Sequence, residues 1–338
     1  MRGIWVSLIV IAALWLAPAA AFGQAPTIAE AQAFTAWNAR VQRVSNVANT
    51  VFVDAPGEPP LSAGRGERRA WADGARAWAT RAQAQLAALE AEAASIPAEP
   101  PPAASISPEF RQALIDTRAG IPNLLSAYMD LAGSYASIAD AVERGDEQAI
   151  LYMRIASLEG VVIFMELSRD LIAAQAAASG PDNPQHYLYA SVAESYEGFL
   201  VIIGLKRDII LSDTPYRALA TAAADALDFR VQRMRAAALA GRGASLVLTQ
   251  QVRAAPTSSP AEAAYALRVI EALNTFPGSY DRENQVAAEL AAIAALLRQP
   301  QEFVVIEPAI DDHVDRFGAL DMERTADMER RQTLLMGQ

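Results

Sequence analysis

Acidic and basic side chains recur at matched positions in two apolar stretches of this chain. Residues 157–172 and 195–210 align without a gap, and seven of the sixteen positions are identical. Each copy carries one Glu, one Arg and one Asp among these identities. The candidate ligand-binding residues are therefore Glu159, Arg169, Asp170, Glu197, Arg207 and Asp208. Buried charges persist when they are paired and hydrogen-bonded, so the set indicates either a structural charge network or a pocket for a charged small molecule.

Carboxylates of this kind can also perform acid–base catalysis when two of them flank one bond. Glu159 and Asp170 are eleven residues apart on one helix, which corresponds to about 16 Å along the axis. Glu197 and Asp208 have the same spacing. That separation is too large for one reacting bond, so only pairing between helices could bring two carboxylates together. We assign no catalytic residue, and an enzyme that uses these carboxylates stays an alternative.

Metal and thiol chemistry find little support in the sequence. The chain has no cysteine and only two histidines, His186 and His313, which are far apart in sequence. Glu-x-x-His spacing, Asp-x-Asp-x-Asp-Gly loops and a Gly-x-Ser-x-Gly turn are all missing. The sequence therefore predicts that the protein binds no metal and no cofactor.

Both copies of the repeat lie in segments that read as buried helices. Apolar residues occupy nearly the whole circumference of each helix, which is typical of burial in a bundle. Residues 179–184 contain a glycine and two prolines and form a turn between the helices. The resulting antiparallel register places Glu159 within a turn of Arg207, and Glu197 within a turn of Arg169. We predict that at least one of these cross-helix pairs forms. Arg169 points away from the flank that Glu159 and Asp170 share, so the alternative is that the arginines reach a third helix.

The rest of the chain shows helical periodicity interrupted at proline and glycine clusters. The sequence predicts an all-α fold, a multi-helix bundle with an antiparallel repeat hairpin (about 147–178 and 185–211) at its centre. The predicted regions are a signal peptide at 1–23, an N-terminal helical region at 24–95, a Pro-rich linker at 96–106, a central helical bundle with the repeat at 107–243, and a C-terminal helical region at 244–338.

Several short segments are expected to interrupt or end helices. Residues 241–243, Gly-Arg-Gly, should end a helix, and residues 244–257 are ambiguous, with a short extended piece at 246–248. The Gly-Ile-Pro of residues 120–122 should kink or split its helix. Residues 303–306 read as short and extended. The amphipathic tail from Asp311 either docks as a final helix or frays.

Residues 1–23 have the features of a secretory signal. Arg2 precedes an apolar stretch at residues 4–16, and Ala-Phe-Gly at 21–23 fits the small-x-small cleavage rule before Gln24, with cleavage after Ala21 as the alternative. Without a cysteine, a lipoprotein anchor is excluded. The sequence predicts a periplasmic protein with no transmembrane segment after signal cleavage.

Charge and aromatic residues suggest the class of partner. The formal net charge is −11, and nucleic-acid-binding proteins present basic faces, so the sequence predicts no nucleic-acid partner. Trp71 and Trp78 share one helix face and either pack in the core or bind a partner protein. Our first hypothesis is an exported, non-enzymatic helical protein that binds or scaffolds another protein of the bacterial cell envelope.

Overall fold

The computed structural model describes residues 28–51, 54–56, 64–102, 108–257 and 260–336, and within these ranges it is helical without a strand. The predicted all-α bundle is confirmed. The helices in chain order are α1 (Ile28–Thr50), α2 (Arg65–Ala94), α3 (Pro108–Arg144), α4 (Glu147–Ser179), α5 (Pro184–Leu211), α6 (Tyr216–Ala254), α7 (Pro260–Leu273), α8 (Phe276–Leu297) and α9 (Phe303–Met336). The predicted signal peptide lies outside the described residues.

The two copies of the sequence repeat lie on α4 and α5, which a four-residue turn connects. Gly180 has a φ of +73°, a left-handed conformation that favours glycine over other residues. The side chain of Asn183 accepts a hydrogen bond from the backbone N–H of Gln185, and Pro184 occupies the first turn of α5. This N-cap and proline start α5 directly after the turn, so the two helices contact each other.

Helix α5 is central to the packing, because it contacts α4, α6 and α8. Its buried residues lie all round the helix, as its apolar composition predicts. Gly198, one of the repeat identities, faces Leu290 of α8, and a Cβ at this position would lie 2.7 Å from a Leu290 methyl carbon. One continuous hydrophobic core includes residues from α1 to α6, α8 and α9.

The Gly-Arg-Gly of residues 241–243 does not end a helix, and that prediction is wrong. Helix α6 continues through it to Ala254, so the extended piece expected at residues 246–248 is helical as well. Gly241 faces the ring of Tyr280 on α8, and any Cβ at 241 would overlap that ring. The glycine is required by close helix packing and not by a turn.

Two other expected interruptions, an extended piece at residues 303–306 and a split of the helix at residues 120–122, are also wrong. Residues 303–306 form the first turn of α9, because Ile306, Ile310 and Val314 are buried at helical spacing and continue the same packed face. The tail therefore docks as a helix. Helix α3 continues through Pro122, whose side chain is exposed. Proline has no N–H, so the backbone carbonyl four residues earlier lacks its helical donor. Because Pro122 lies on the solvent side of the helix, water can donate to this carbonyl instead.

One described helix, Pro184–Leu211, is long and apolar enough to cross a membrane by length and composition. In this fold 72% of its most apolar stretch is buried against other helices.

Candidate functional site

The predicted cross-helix pair between Arg169 and Glu197 forms. Nη1 of Arg169 on α4 lies 2.7 Å from Oε1 of Glu197 on α5, and both side chains are partly buried. Arg169 also donates from Nε to Asp170 at 2.8 Å. Burial lowers the pKa of Arg169, but its bonds to Asp170 and Glu197 outweigh this effect, so its pKa is raised. The guanidinium is therefore held charged between two carboxylates.

The charge network continues from Glu197 to a third helix. Nη2 of Arg230 on α6 lies 3.4 Å from Oε2 of Glu197, and Nη1 of Arg230 donates to Glu194 at 3.0 Å. Glu194, a buried carboxylate one turn before Glu197 on α5, also pairs with Arg233. The network thus joins α4, α5 and α6 through alternating positive and negative groups, which we call the repeat charge network.

The second copy of the repeat is used differently. Nη2 of Arg207 pairs with the neighbouring Asp208 at 2.8 Å, and Glu159 is exposed. The buried cation here is Lys206, whose Nζ lies 2.6 Å from Asp311 and 3.2 Å from Glu307, both on α9. The corresponding residue of the first copy is Ser168, so the first copy carries no cation at this position.

The structure brings Arg169, Asp170 and Glu197 together and leaves Glu159 apart from them. Every charged group of the repeat charge network faces an opposite charge from within the chain. Such pairing is what a structural network requires. The role of the six residues in ligand binding remains a prediction.

A second polar cluster lies deeper in the bundle and involves residues that the sequence did not suggest. Glu283 on α8 is 0% exposed and accepts two bonds from Arg324 on α9, at 2.6 and 2.8 Å. The Ser191 hydroxyl donates to the same carboxylate at 2.8 Å. Arg324 also donates to buried Asp321 at 2.9 Å. We call these residues the buried ion cluster; it links α5, α8 and α9.

Two carboxylates share one arginine in this cluster, and the pKa values reflect this. Burial raises the pKa of Asp321 to about 6, although Arg324 acts to lower it. Burial lowers the pKa of Arg324, but Glu283 and Asp321 outweigh burial and raise it. With one arginine between two acids, neutrality is reached when Asp321 holds a proton, while Glu283 keeps the paired arginine.

A further buried arginine, Arg331, lies about two helical turns after Arg324, towards the end of α9. Arg331 donates to the Ser279 hydroxyl at 2.7 Å, and its guanidinium carbon lies 4.6 Å from the centre of the Phe276 ring. Burial lowers the pKa of this guanidinium. On the outer side of the same contact, Arg282 pairs with Asp327 and also with Glu323, at 2.9 Å. These contacts fasten the end of α9 to α8.

A sequence signal for these residues does exist in the spacing of α9. Its buried positions alternate by four and three residues, the spacing of a helix packed along a seam. These positions are Ile310, Val314, Phe317, Asp321, Arg324, Met328 and Arg331. Charged residues at seam positions predict buried ion pairs, but the pattern becomes visible only when the polar residues are counted together with the apolar ones.

The two candidate partner-binding tryptophans lie on α2. Trp78 is buried, and its ring centre lies 4.7 Å from that of Tyr135 on α3. Trp71 is partly buried and packs against a small cluster formed by Ile138, Ala141 and Val142 of α3. Trp78 thus packs in the core and is not available to a partner, whereas Trp71 keeps part of its side chain exposed.

Three large apolar side chains of α6 point outwards from the bundle. Phe229 is 51% exposed, Leu239 is 74% exposed and Leu246 is 61% exposed. Between them lie small exposed residues, Ala236 and Gly243. The opposite side of α6 packs on α5 and α8, so this outer face is the side of the helix that the described bundle leaves in solvent.

Within the described residues, no group of three or more acidic or histidine side chains is arranged to hold a metal ion. The chain matches no protein-family model, no curated protein and no solved structure. Function must therefore be argued from the geometry of the chain itself.

Proposed function

We propose that this chain is an exported, non-enzymatic binding or scaffolding protein of the bacterial cell envelope, and that it binds protein through the outer face of α6. The observation that carries the proposal is the exposure of Phe229, Leu239 and Leu246 along one face of a 39-residue helix. Large apolar side chains that recur on the outer face of one helix favour a site for protein–protein interaction over isolated surface hydrophobics.

The use of the polar residues supports the same proposal. The repeat charge network and the buried ion cluster place arginines between carboxylates of neighbouring helices. Groups that are paired and hydrogen-bonded to one another inside the chain hold its helices together. The sequence features that favour export, Arg2 followed by the apolar stretch at 4–16, support the location in the envelope.

Site-specific photo-cross-linking in living cells tests this proposal. A photoreactive amino acid is placed at Leu239 or at Leu246 in the full-length chain, and the envelope fraction is analysed after irradiation. The matched control carries it at Arg81, an exposed position on α2 far from α6 in the chain. We expect protein adducts at the two α6 positions and none at the control. Equal adducts at all three positions, or no adducts at α6, would contradict the proposal.

A further inference from the structure

The outer face of α6 follows the spacing of a coiled-coil seam. Eight residues alternate by four and three positions over 26 residues, and all eight are exposed. They are Asp225, Phe229, Gln232, Ala236, Leu239, Gly243, Leu246 and Gln250, which we call the α6 seam. A seven-residue repeat of this kind keeps one stripe of a helix against another helix along its length. No helix among the described residues covers this stripe, so the stripe is suited to a helix from outside.

We propose that a second molecule of this chain binds the α6 seam, with the two α6 helices antiparallel and a twofold axis between Ala236 and Leu239. This inference rests on the proposed function, because it names the partner that the outer face of α6 binds. A twofold interface uses the same surface of both molecules, so the seam has to be complementary to itself.

Antiparallel pairing about this axis satisfies that requirement at each level. Phe229 faces Leu246 of the second molecule, and Ala236 faces Leu239 of the second molecule, so apolar residues meet at the centre with one small residue in each central pair. Gly243 faces Gln232 of the second molecule. At both ends Asp225 faces Gln250 of the second molecule, where the amide can donate to the carboxylate. The pair of Gln232 and Gly243 thus lies between the two kinds of apolar pair, and the charged residue of the seam lies at its ends.

Other arrangements of the same seam are less favourable. Parallel pairing places Gly243 against Gly243 of the second molecule, which leaves a gap, and Asp225 against Asp225, although each Asp225 already pairs with Arg298 of its own chain at 2.8 Å. An antiparallel shift by seven residues moves Ala236 opposite Gln232 of the second molecule in one direction and Phe229 opposite Arg253 in the other, so each shift replaces an apolar pair with a mixed one. In the favoured antiparallel register, Arg235 lies near Arg242 of the second molecule, and the two side chains carry like charges. Arg242 already pairs with Asp281 of its own chain, which offsets this repulsion.

The size of the seam predicts a reversible dimer. At 1.5 Å per residue the eight positions extend over about 38 Å, and a helix about 10 Å wide then buries roughly 400 Å² per molecule. The total of roughly 800 Å² lies below the range of stable specific interfaces and corresponds to a weak, transient contact. We therefore expect monomer and dimer to exchange within the concentration range of solution measurements.

Sedimentation of the full mature chain over a range of concentrations tests the dimer. Leu239→Glu places two charges beside the twofold axis and should weaken dimerisation at least about 100-fold, since two leucines lose their burial. The matched control is Leu267→Glu on α7, which is 67% exposed and lies outside the seam. The control should dimerise like the unaltered chain. The proposal would be overturned if the unaltered chain stays monomeric, or if the unaltered chain, Leu239→Glu and Leu267→Glu all dimerise equally.

Disulfide formation tests the antiparallel register, because the chain contains no cysteine of its own. Phe229→Cys and Leu246→Cys variants should each stay unlinked and should cross-link when they are mixed under oxidising conditions. A parallel pair would instead link each variant to itself. If self-linking is found, or if the photo-adducts at Leu239 have a mass other than twice that of the chain, the second molecule is the wrong partner. In the latter case the proposed function still stands, and the two failures are distinguishable.

Discussion

Replacement of Arg324 by methionine is the most informative test of how this bundle is held together. The guanidinium supplies two hydrogen bonds to Glu283, at 2.6 and 2.8 Å, and one to Asp321. Methionine retains a long apolar side chain, so the change removes the charge and the donors with little loss of packing volume. Glu283 would then keep the Ser191 hydroxyl as its neighbour, in a site with 0% exposure.

The expected cost is about 3–5 kcal/mol, the usual result of removing one partner from a buried ion pair. The matched control is Arg316→Met on the same helix, whose guanidinium is half-exposed and pairs with Glu289 at 2.9 Å. An exposed pair of this kind contributes about 0–1 kcal/mol. The two variants therefore make the same chemical change on one helix, and burial is the main difference between them.

Urea unfolding followed by circular dichroism measures both costs. The double variant Glu283→Gln with Arg324→Met should lose less stability than the sum of the single variants, because the stranded charge is removed together with its partner. A cost for Arg324→Met below about 1 kcal/mol, or strict additivity in the double variant, would refute the buried pairing of α8 and α9.

Four further outcomes follow from the structure and the sequence. The pKa of Asp321 is about 6 in the folded protein against an ordinary 3.8, so the folded state holds this proton more tightly than the unfolded state. The free energy of unfolding should therefore fall by about 3 kcal/mol as the pH rises from about 4 to about 7. Asp321→Asn should lose this part of the pH dependence in urea titrations at several pH values. Gly241→Ala should destabilise the fold by about 1–3 kcal/mol through overlap with the Tyr280 ring, whereas Gly74→Ala, with open space around it, should be neutral or stabilising by up to about 1 kcal/mol in the same assay. N-terminal sequencing of the exported protein should begin near Gln24, and intact chain recovered from the cytosol would contradict export. A chelator should leave the melting temperature unchanged, and a drop that one divalent ion restores would contradict the prediction of no metal.

The helices of the repeat were predictable because their local and global signals agree. Proline and glycine mark both ends of α4 and α5, and the apolar residues between them suit a buried helix. The register of the hairpin then follows from the length of the turn, which is why the pair between Arg169 and Glu197 could be predicted. The partners on α6 could not, since nothing in a sequence fixes which third helix packs beside the first two.

The breaks that were wrongly predicted share one physical cause. Glycine, proline and short apolar runs were interpreted by their local preferences, and packing decided otherwise. Gly241 makes room for Tyr280, Pro122 lies on the solvent side of α3, and Ile306 belongs to the buried face of α9. Local preferences of about 1 kcal/mol for glycine are readily outweighed by the burial of several large side chains.

The error at Gly241 also concealed the surface on which the proposed function depends. A helix that ended near residue 241 would separate Phe229 and Leu239 from Leu246, and no continuous seam would exist. Gly241 packs against Tyr280 and does not end the helix, so α6 is one continuous helix. Its inner face packs on α5 and α8, and its outer face carries eight exposed seam positions. The proposed binding surface and the surface that packs on α5 therefore belong to the same helix.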